Sequence, residues 1–342
     1  METILKHIQD LSQSDWDYYF GINPSNVIKN PFLDSTITHN NFIHKYFERG
    51  GKVKIFKSII DDFGKLRYPN HINSVFFLGL LVYYKTGFQR EFNLNVNEPG
   101  YKTFPFIWFL IALYHDNAYH IEKDNKLLSK NKTLDNLYEN YDIQNKLLDE
   151  YLDSTSRILF DCCGDYYNYR VNECKVIDHG LFGGIILFDR LVKIRREKSK
   201  YQDLDSLFWG EALEGQYKLA AFSIAMHNIW MPEKKQSKLY KDYNLGKLID
   251  FKPLKFNDFG FLYLLGIIDT IDPIKAFFEK DIDEQYIYDN LYLDFTENSL
   301  ELSCKENSNL DFKILVDKAK SLHGWLDVEV KFSYNKLEIK FK

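Results

Sequence analysis

The spacing of apolar residues changes character once along the chain, near residue 283, and that change sets most of what the chain can fold into. Before it, apolar side chains recur every three to four residues, the signature of helices that bury one face. After it they alternate every second residue, the signature of strands. The first part predicts a helix over residues 41–63 interrupted at Gly50-Gly51, and helices over 69–85, 104–119, 144–162, 180–198, 211–230 and 257–280. Pro105 falls in the first turn of its helix, where a missing N–H costs nothing. The second part predicts strands over 286–295 and 299–305, a helix over 311–322, and strands over 327–333 and 336–341 about a turn at Tyr334-Asn335. The expected fold is mainly α: a helical body over 1–283 and a small ββαββ appendage of α+β type over 284–342. An appendage of about 60 residues buries too little surface to stand alone, so it is expected to dock on the body.

Composition narrows the partners. The 342 residues carry 44 Lys and Arg against 49 Asp and Glu, a net charge of −5, whereas a dedicated binder of duplex nucleic acid is usually basic. The run Arg190–Lys200 reads as a solvated helix end, with a track for a polyanion as its functional alternative. Of the four cysteines, Cys162 and Cys163 are adjacent, which argues against a disulfide framework and for a reducing compartment. Met1–Asp10 is polar and lacks the apolar core of a secretory leader. The longest apolar runs, 74–84 and 104–114, fall short of the roughly 20 residues that span a bilayer. A soluble cytoplasmic protein without a membrane partner is expected. No phosphate-binding P-loop, dinucleotide fingerprint or nucleophile elbow is present in the sequence.

Metal-competent side chains interrupt the apolar helices. His71, the pair His115-Asp116, His179, His227 and Asp269 each sit in an otherwise apolar stretch. An unpaired imidazole there is costly. Each has a plain reading alone: a hydrogen-bonded core histidine, or for Asp269 a buried cap or ion-pair partner. One shared buried site explains them all more economically. Imidazole with carboxylate suits borderline divalent metals such as Mn, Fe, Co, Ni or Zn. Cys162, Cys163 and Cys174 lack zinc-site spacing and read as structural. Asp269 is preferred to Asp272 as the last ligand, because Asp272 precedes Pro273 and suits a turn.

The order His71, His115-Asp116, His179, His227, Asp269, separated by 44, 64, 48 and 42 residues, resembles that of the HD-domain superfamily of metal-dependent phosphohydrolases. The resemblance spans residues 60–280, and small residues follow His179 as they follow the family's His-Gly segment. It implies an HD-domain-like helical bundle and a centre of one or two divalent ions (Mn, Fe, Ni, Co, Zn or Mg). His71, His115, Asp116 and Asp269 would hold the first ion. Asp116 would bridge to a second, held also by His179 and His227. Two-metal members often carry His-His where this chain has His227-Asn228, so water or Asp178 would complete that set; single-metal members use the first set only. The implied activity is hydrolysis of a phosphoester by metal-activated hydroxide, with a nucleotide or cyclic (di)nucleotide as the commonest substrate.

Asp178 and Glu122 are candidates to orient the ligating histidines. Many phosphodiesterase members place Gly-Lys after the His-Asp pair, and this chain has Asp116-Asn-Ala-Tyr-His-Ile-Glu instead. His120, one helical turn beyond Asp116, would then donate a proton or contact phosphate, or simply cap its helix. Lys275, six residues after Asp269, could reach substrate or lie on the surface, and Tyr119 reads as packing. The same ligand order occurs in HD-type nucleases acting on single-stranded nucleic acid, in HD-type di-iron oxygenases and in non-catalytic metal or nucleotide sensors, which stand as the alternatives.

Overall fold

A computed structural model of the chain describes residues 1–19, 28–34, 36–92, 94, 101–150, 154–201, 208–229, 241–250, 253–280 and 282–342. It is mostly helical. The helices that matter for the site are, in chain order, α1 (His39–Arg49), α2 (Val53–Phe63), α3 (Pro69–Lys85), α4 (Thr103–Tyr114), α5 (Ser154–Tyr169), α6 (His179–Ser199), α7 (Ala212–Met226), α8 (Phe256–Ile271) and α9 (Pro273–Phe277). The strands are β1 (Glu2–Thr3), β2 (Leu291–Thr296), β3 (Ser299–Cys304), β4 (Val328–Ser333) and β5 (Lys336–Phe341). Among the described residues, no helix is long and apolar enough to cross a membrane, and all four cysteines are free.

The chain forms two compact units. Unit 1 comprises Met1–Gly50, Tyr68–Ala112 and Pro253–Lys342, and unit 2 comprises Gly51–Arg67 and Leu113–Lys252.

In unit 1, α3 carries Pro at its first position and is buried from His71 to Val82, with the polar His71, Asn73 and Ser74 at the start of an apolar run. Aromatic rings fill its core: Phe109 stacks on Tyr46 at 3.8 Å and meets Phe76 edge-on at 4.7 Å. The antiparallel sheet has the order β1-β2-β3-β5-β4. Leu291 faces Cys304 at the start of the first hairpin, and Ser333 faces Lys336 at the turn of the second. Leu293, Leu300, Leu302, Leu337 and Ile339 are buried. β1 pairs with β2, and His7 donates from Nε2 to the Leu293 carbonyl at 2.8 Å. Phe341 packs against Phe88, and Tyr263 of α8 donates to the Asp327 carbonyl. Residue 283, where the period changes, lies inside unit 1.

In unit 2, α6 and α7 pack closely. A Cβ at Gly184 would lie 2.5 Å from the Ala221 carbonyl oxygen, so only glycine admits this approach. At the basic end of α6, Arg196 and Lys200 are exposed, and several of the cations are ion-paired. Arg190 pairs with Asp62 and Asp189, Lys193 with Asp142 and Asp189, and Arg195 and Arg196 with Glu214.

Several element expectations are corrected. The segment 144–162 is not one helix: the Gln144 and Asn145 N–H groups donate to Asp189, and α5 starts only at Ser154. The helix over 104–119 ends at Tyr114, and a 3-10 turn covers Asn117–Ile121. The first half of the strand expected over 286–295 is helix Glu284–Asn290, because the Asp283 carboxylate accepts the Tyr286 N–H and caps it. The helix expected over 257–280 breaks at Asp272, which Pro273 holds away from helical geometry at φ −57°, ψ 117°. The helix over 211–230 is seen as Ala212–Met226, and Trp230 lies outside the described residues.

Candidate metal centre

Unit 2 brings four of the expected ligands together. His115 and Asp116 follow the last residue of α4, His179 is the first residue of α6, and His227 caps the C-terminus of α7. The close α6–α7 crossing sets His179 and His227 side by side, with ring centroids 5.1 Å apart, and the His115 ring lies 5.6 Å from that of His227. Gly180 belongs to the same approach, since a Cβ there would sit 3.1 Å from His227 Nδ1. Ligand atoms of Asp116, His179 and His227 all lie within 4.8 Å of one another, and all three residues are buried. His71, His115, Asp116, His179 and His227 all belong to buried groups that could hold a metal ion; Asp269 falls outside those groups among the described residues.

The surroundings fit a cation. His227 Nδ1 donates to the Ile224 carbonyl at 2.6 Å, which leaves Nε2 as the lone-pair nitrogen. His179 Nε2 is 3.4 Å from Asp116 Oδ1. Its Nδ1 is buried, lies 3.4 Å from Glu122 Oε2 and makes no hydrogen bond. Burial alone would lower the His179 pKa, but Asp116 and Glu122 outweigh it and raise it to about 9. An environment that favours imidazolium against burial favours a divalent cation for the same reason.

Glu122 is held in turn by Arg170, whose Nη2 is 2.5 Å from Oε1. Arg170 opens the π-helical turn Arg170–Cys174 that follows α5, and its Nε lies 3.5 Å from Asp178. Asp178 caps α6 through the Leu181 N–H and accepts from Tyr166 and from the Asn228 amide at 2.8 Å. Asn228 and Asp178 therefore satisfy each other, and neither belongs to a ligand group among the described residues.

Unit 1 holds the other two expected ligands. His71 lies in the first turn of α3, with Nε2 3.3 Å from Asp269 Oδ1 and Nδ1 2.7 Å from Asp272 Oδ2. Asp269 and Asp272 thus face opposite nitrogens of the His71 ring. Burial again works to lower the imidazole, but Asp269 and Asp272 prevail and raise it to about 9. Lys275 is half-buried and donates to Asp269 Oδ1 at 2.6 Å.

His120 is exposed, and its Nδ1 donates to the Asn117 carbonyl at 2.9 Å, within the same 3-10 turn. Tyr119 lies between the His179 ring, 5.0 Å away, and the Arg67 guanidinium, 3.6 Å above its face. Arg67 Nη1 is also 3.2 Å from Asp116 Oδ2. Sequence reasoning passed over Arg67 and Arg170. Arg67 stands in a loop before Pro69, and nothing near Arg170 in sequence marks it as the partner of Glu122. The only available signal was the general rule that ligating histidines carry a carboxylate behind them and carboxylates a cation behind those.

No family model matches the chain, and no curated protein or solved structure matches it.

Proposed function

We propose that the protein is a metal-dependent phosphoric ester hydrolase of the HD-domain kind, acting on a small phosphorylated compound, a nucleotide or cyclic (di)nucleotide. The observation that carries this reading is the buried group Asp116, His179 and His227, with His115 beside it and a carboxylate behind His179. The resemblance assigns His71, His115, Asp116 and Asp269 to one ion and Asp116, His179 and His227 to a second. A divalent ion held there makes water nucleophilic at neutral pH and neutralises phosphate oxygens.

The protein's own side chains orient and balance charge. Asp116 offers two oxygens, one toward His179 and one toward Arg67. Arg67, laid flat on Tyr119, supplies the fixed positive charge that other members draw from Gly-Lys, and its planar fork suits two phosphate oxygens. Asp272 is hydrogen-bonded to His71 Nδ1 and Glu122 faces His179 Nδ1 at 3.4 Å, and in each ring Nε2 is the nitrogen that would face a metal.

The test is turnover of bis(p-nitrophenyl) phosphate and a panel of nucleotides and cyclic dinucleotides with Mn2+ added. Hydrolysis that needs the metal and falls at least about 100-fold in Asp116→Asn supports the reading. Metal-independent turnover, or none across the panel, overturns it.

A further inference from the structure

The C-terminal segment reaches the histidine of unit 1 through a buried chain of hydrogen bonds. Tyr288, in helix Glu284–Asn290, donates its hydroxyl to Ser74 Oγ. Ser74, in the middle of α3, donates to Asp272 Oδ1. The other Asp272 oxygen, Oδ2, accepts His71 Nδ1 at 2.7 Å and the Lys275 N–H at 2.8 Å. Ser74, Asp272 and Tyr288 are buried. Burial, first, and then Asp272 and Glu284 push the Tyr288 phenol well above its ordinary value, so it stays a donor.

The chain has a physical logic. A serine inside a helix ordinarily turns its hydroxyl back to the carbonyl one turn earlier. By donating into the Ser74 lone pair, Tyr288 favours the rotor that points at Asp272. Ser74 then ties down Oδ1, which stops the carboxylate from rotating and leaves Oδ2 facing His71. We propose that Tyr288 is a positioning residue for His71: through Ser74 and Asp272 it fixes the tautomer and ring orientation that present Nε2 to a metal ion. On this view the segment after residue 283 is part of the ligand shell and not a detachable appendage. The proposal rests on the reading of His71 as a ligand, but the relay itself is testable in the metal-free chain.

The experiment uses the full-length chain labelled with 15N at histidine, with the His71 imidazole N–H assigned by its loss in His71→Gln. Tyr288→Phe removes only the hydroxyl and keeps the ring that packs edge-on to Phe32 at 5.1 Å. It is expected to shift the His71 resonance and weaken Mn2+ binding about 3- to 10-fold, the worth of one buried hydrogen bond. Asp272→Asn is expected to weaken it about 10- to 100-fold, as loss of a ligand's carboxylate partner does. Phe32→Leu, which disturbs the same packing and spares the hydroxyl, should change neither. An unmoved His71 resonance in a folded Tyr288→Phe chain, or the same shift in Phe32→Leu, overturns the proposal. A wild-type chain that takes up no Mn2+ refutes the metal centre instead, and the imidazole resonance still decides the relay.

Discussion

Replacing Arg170 by Met tests whether the charges behind His179 form one coupled unit. Arg170 touches Glu122 and Asp178, whose side chains are 8% and 0% exposed. Removing one member of a buried pair leaves the other charge uncompensated, at about 3–5 kcal/mol. Arg170 is itself 21% exposed, and water reaching the site lowers the expected cost to about 3 kcal/mol. In a chain of 342 residues that lowers Tm by roughly 3–5 °C. Glu122→Gln alone should also destabilise, because it strands Arg170. The double variant should cost less than the sum of the two singles, by about 1–3 kcal/mol. Urea denaturation of the wild type, both singles and the double closes the cycle. Additivity within about 0.5 kcal/mol would refute the coupling and with it the claim that Arg170 holds Glu122 in place.

Three further outcomes follow from the packing and charges. Asp189 is fully buried; burial works to raise its carboxyl, but the Asn145 and Gln144 N–H groups and Lys193 outweigh it and hold it below 3.8. Its stabilisation is therefore complete above that pH and lost as pH falls through the lowered value. Asp189→Asn should be less stable at neutral pH and lose less between pH 5 and pH 2 than the wild type does, read by urea unfolding at each pH. Gly184→Ala would force the new methyl against the Ala221 carbonyl and within 2.8 Å of the Ala225 Cβ. It should cost about 1–3 kcal/mol and loosen metal uptake as α6 and α7 separate, checked by thermal melts and Mn2+ titration. His120→Ala removes a hydrogen bond within the 3-10 turn, outside the ligand groups, so metal uptake should be unchanged and any Mn2+-dependent turnover reduced by less than about tenfold; a loss of about 100-fold or more would make His120 a proton donor.

Legibility from sequence followed how local the deciding physics is. The α3 helix could be read to the residue because Pro69 opens it and the apolar run continues to Val82. The second hairpin was equally legible, since its alternation brackets Tyr334-Asn335. The strand expected over 286–295 failed at its first half because Asp283, a capping residue with Glu284 behind it, outweighed a short apolar alternation. The helix expected over 144–162 failed because its first backbone donors are taken by Asp189, 44 residues away. In the candidate site, the metal-competent residues showed themselves as polar breaks in apolar helices. Their supports did not: Arg67, Arg170 and Asp272 act through partners 49, 48 and 201 residues away. Asp272 was weighed against Asp269 as the last ligand and set aside as a turn residue before proline. It is that, capping α9 through the Lys275 N–H, and the same carboxylate also holds His71.

The central claim is that the histidines and aspartates buried in these helices hold metal. The direct measurement is elemental analysis of the protein purified without added metal or chelator, beside Asp116→Ala. The account predicts about one or two divalent transition ions per chain, lost in the variant while its circular dichroism is unchanged. No ion in the purified wild type, and none taken up when Mn2+, Fe2+ or Mg2+ is supplied, would contradict it.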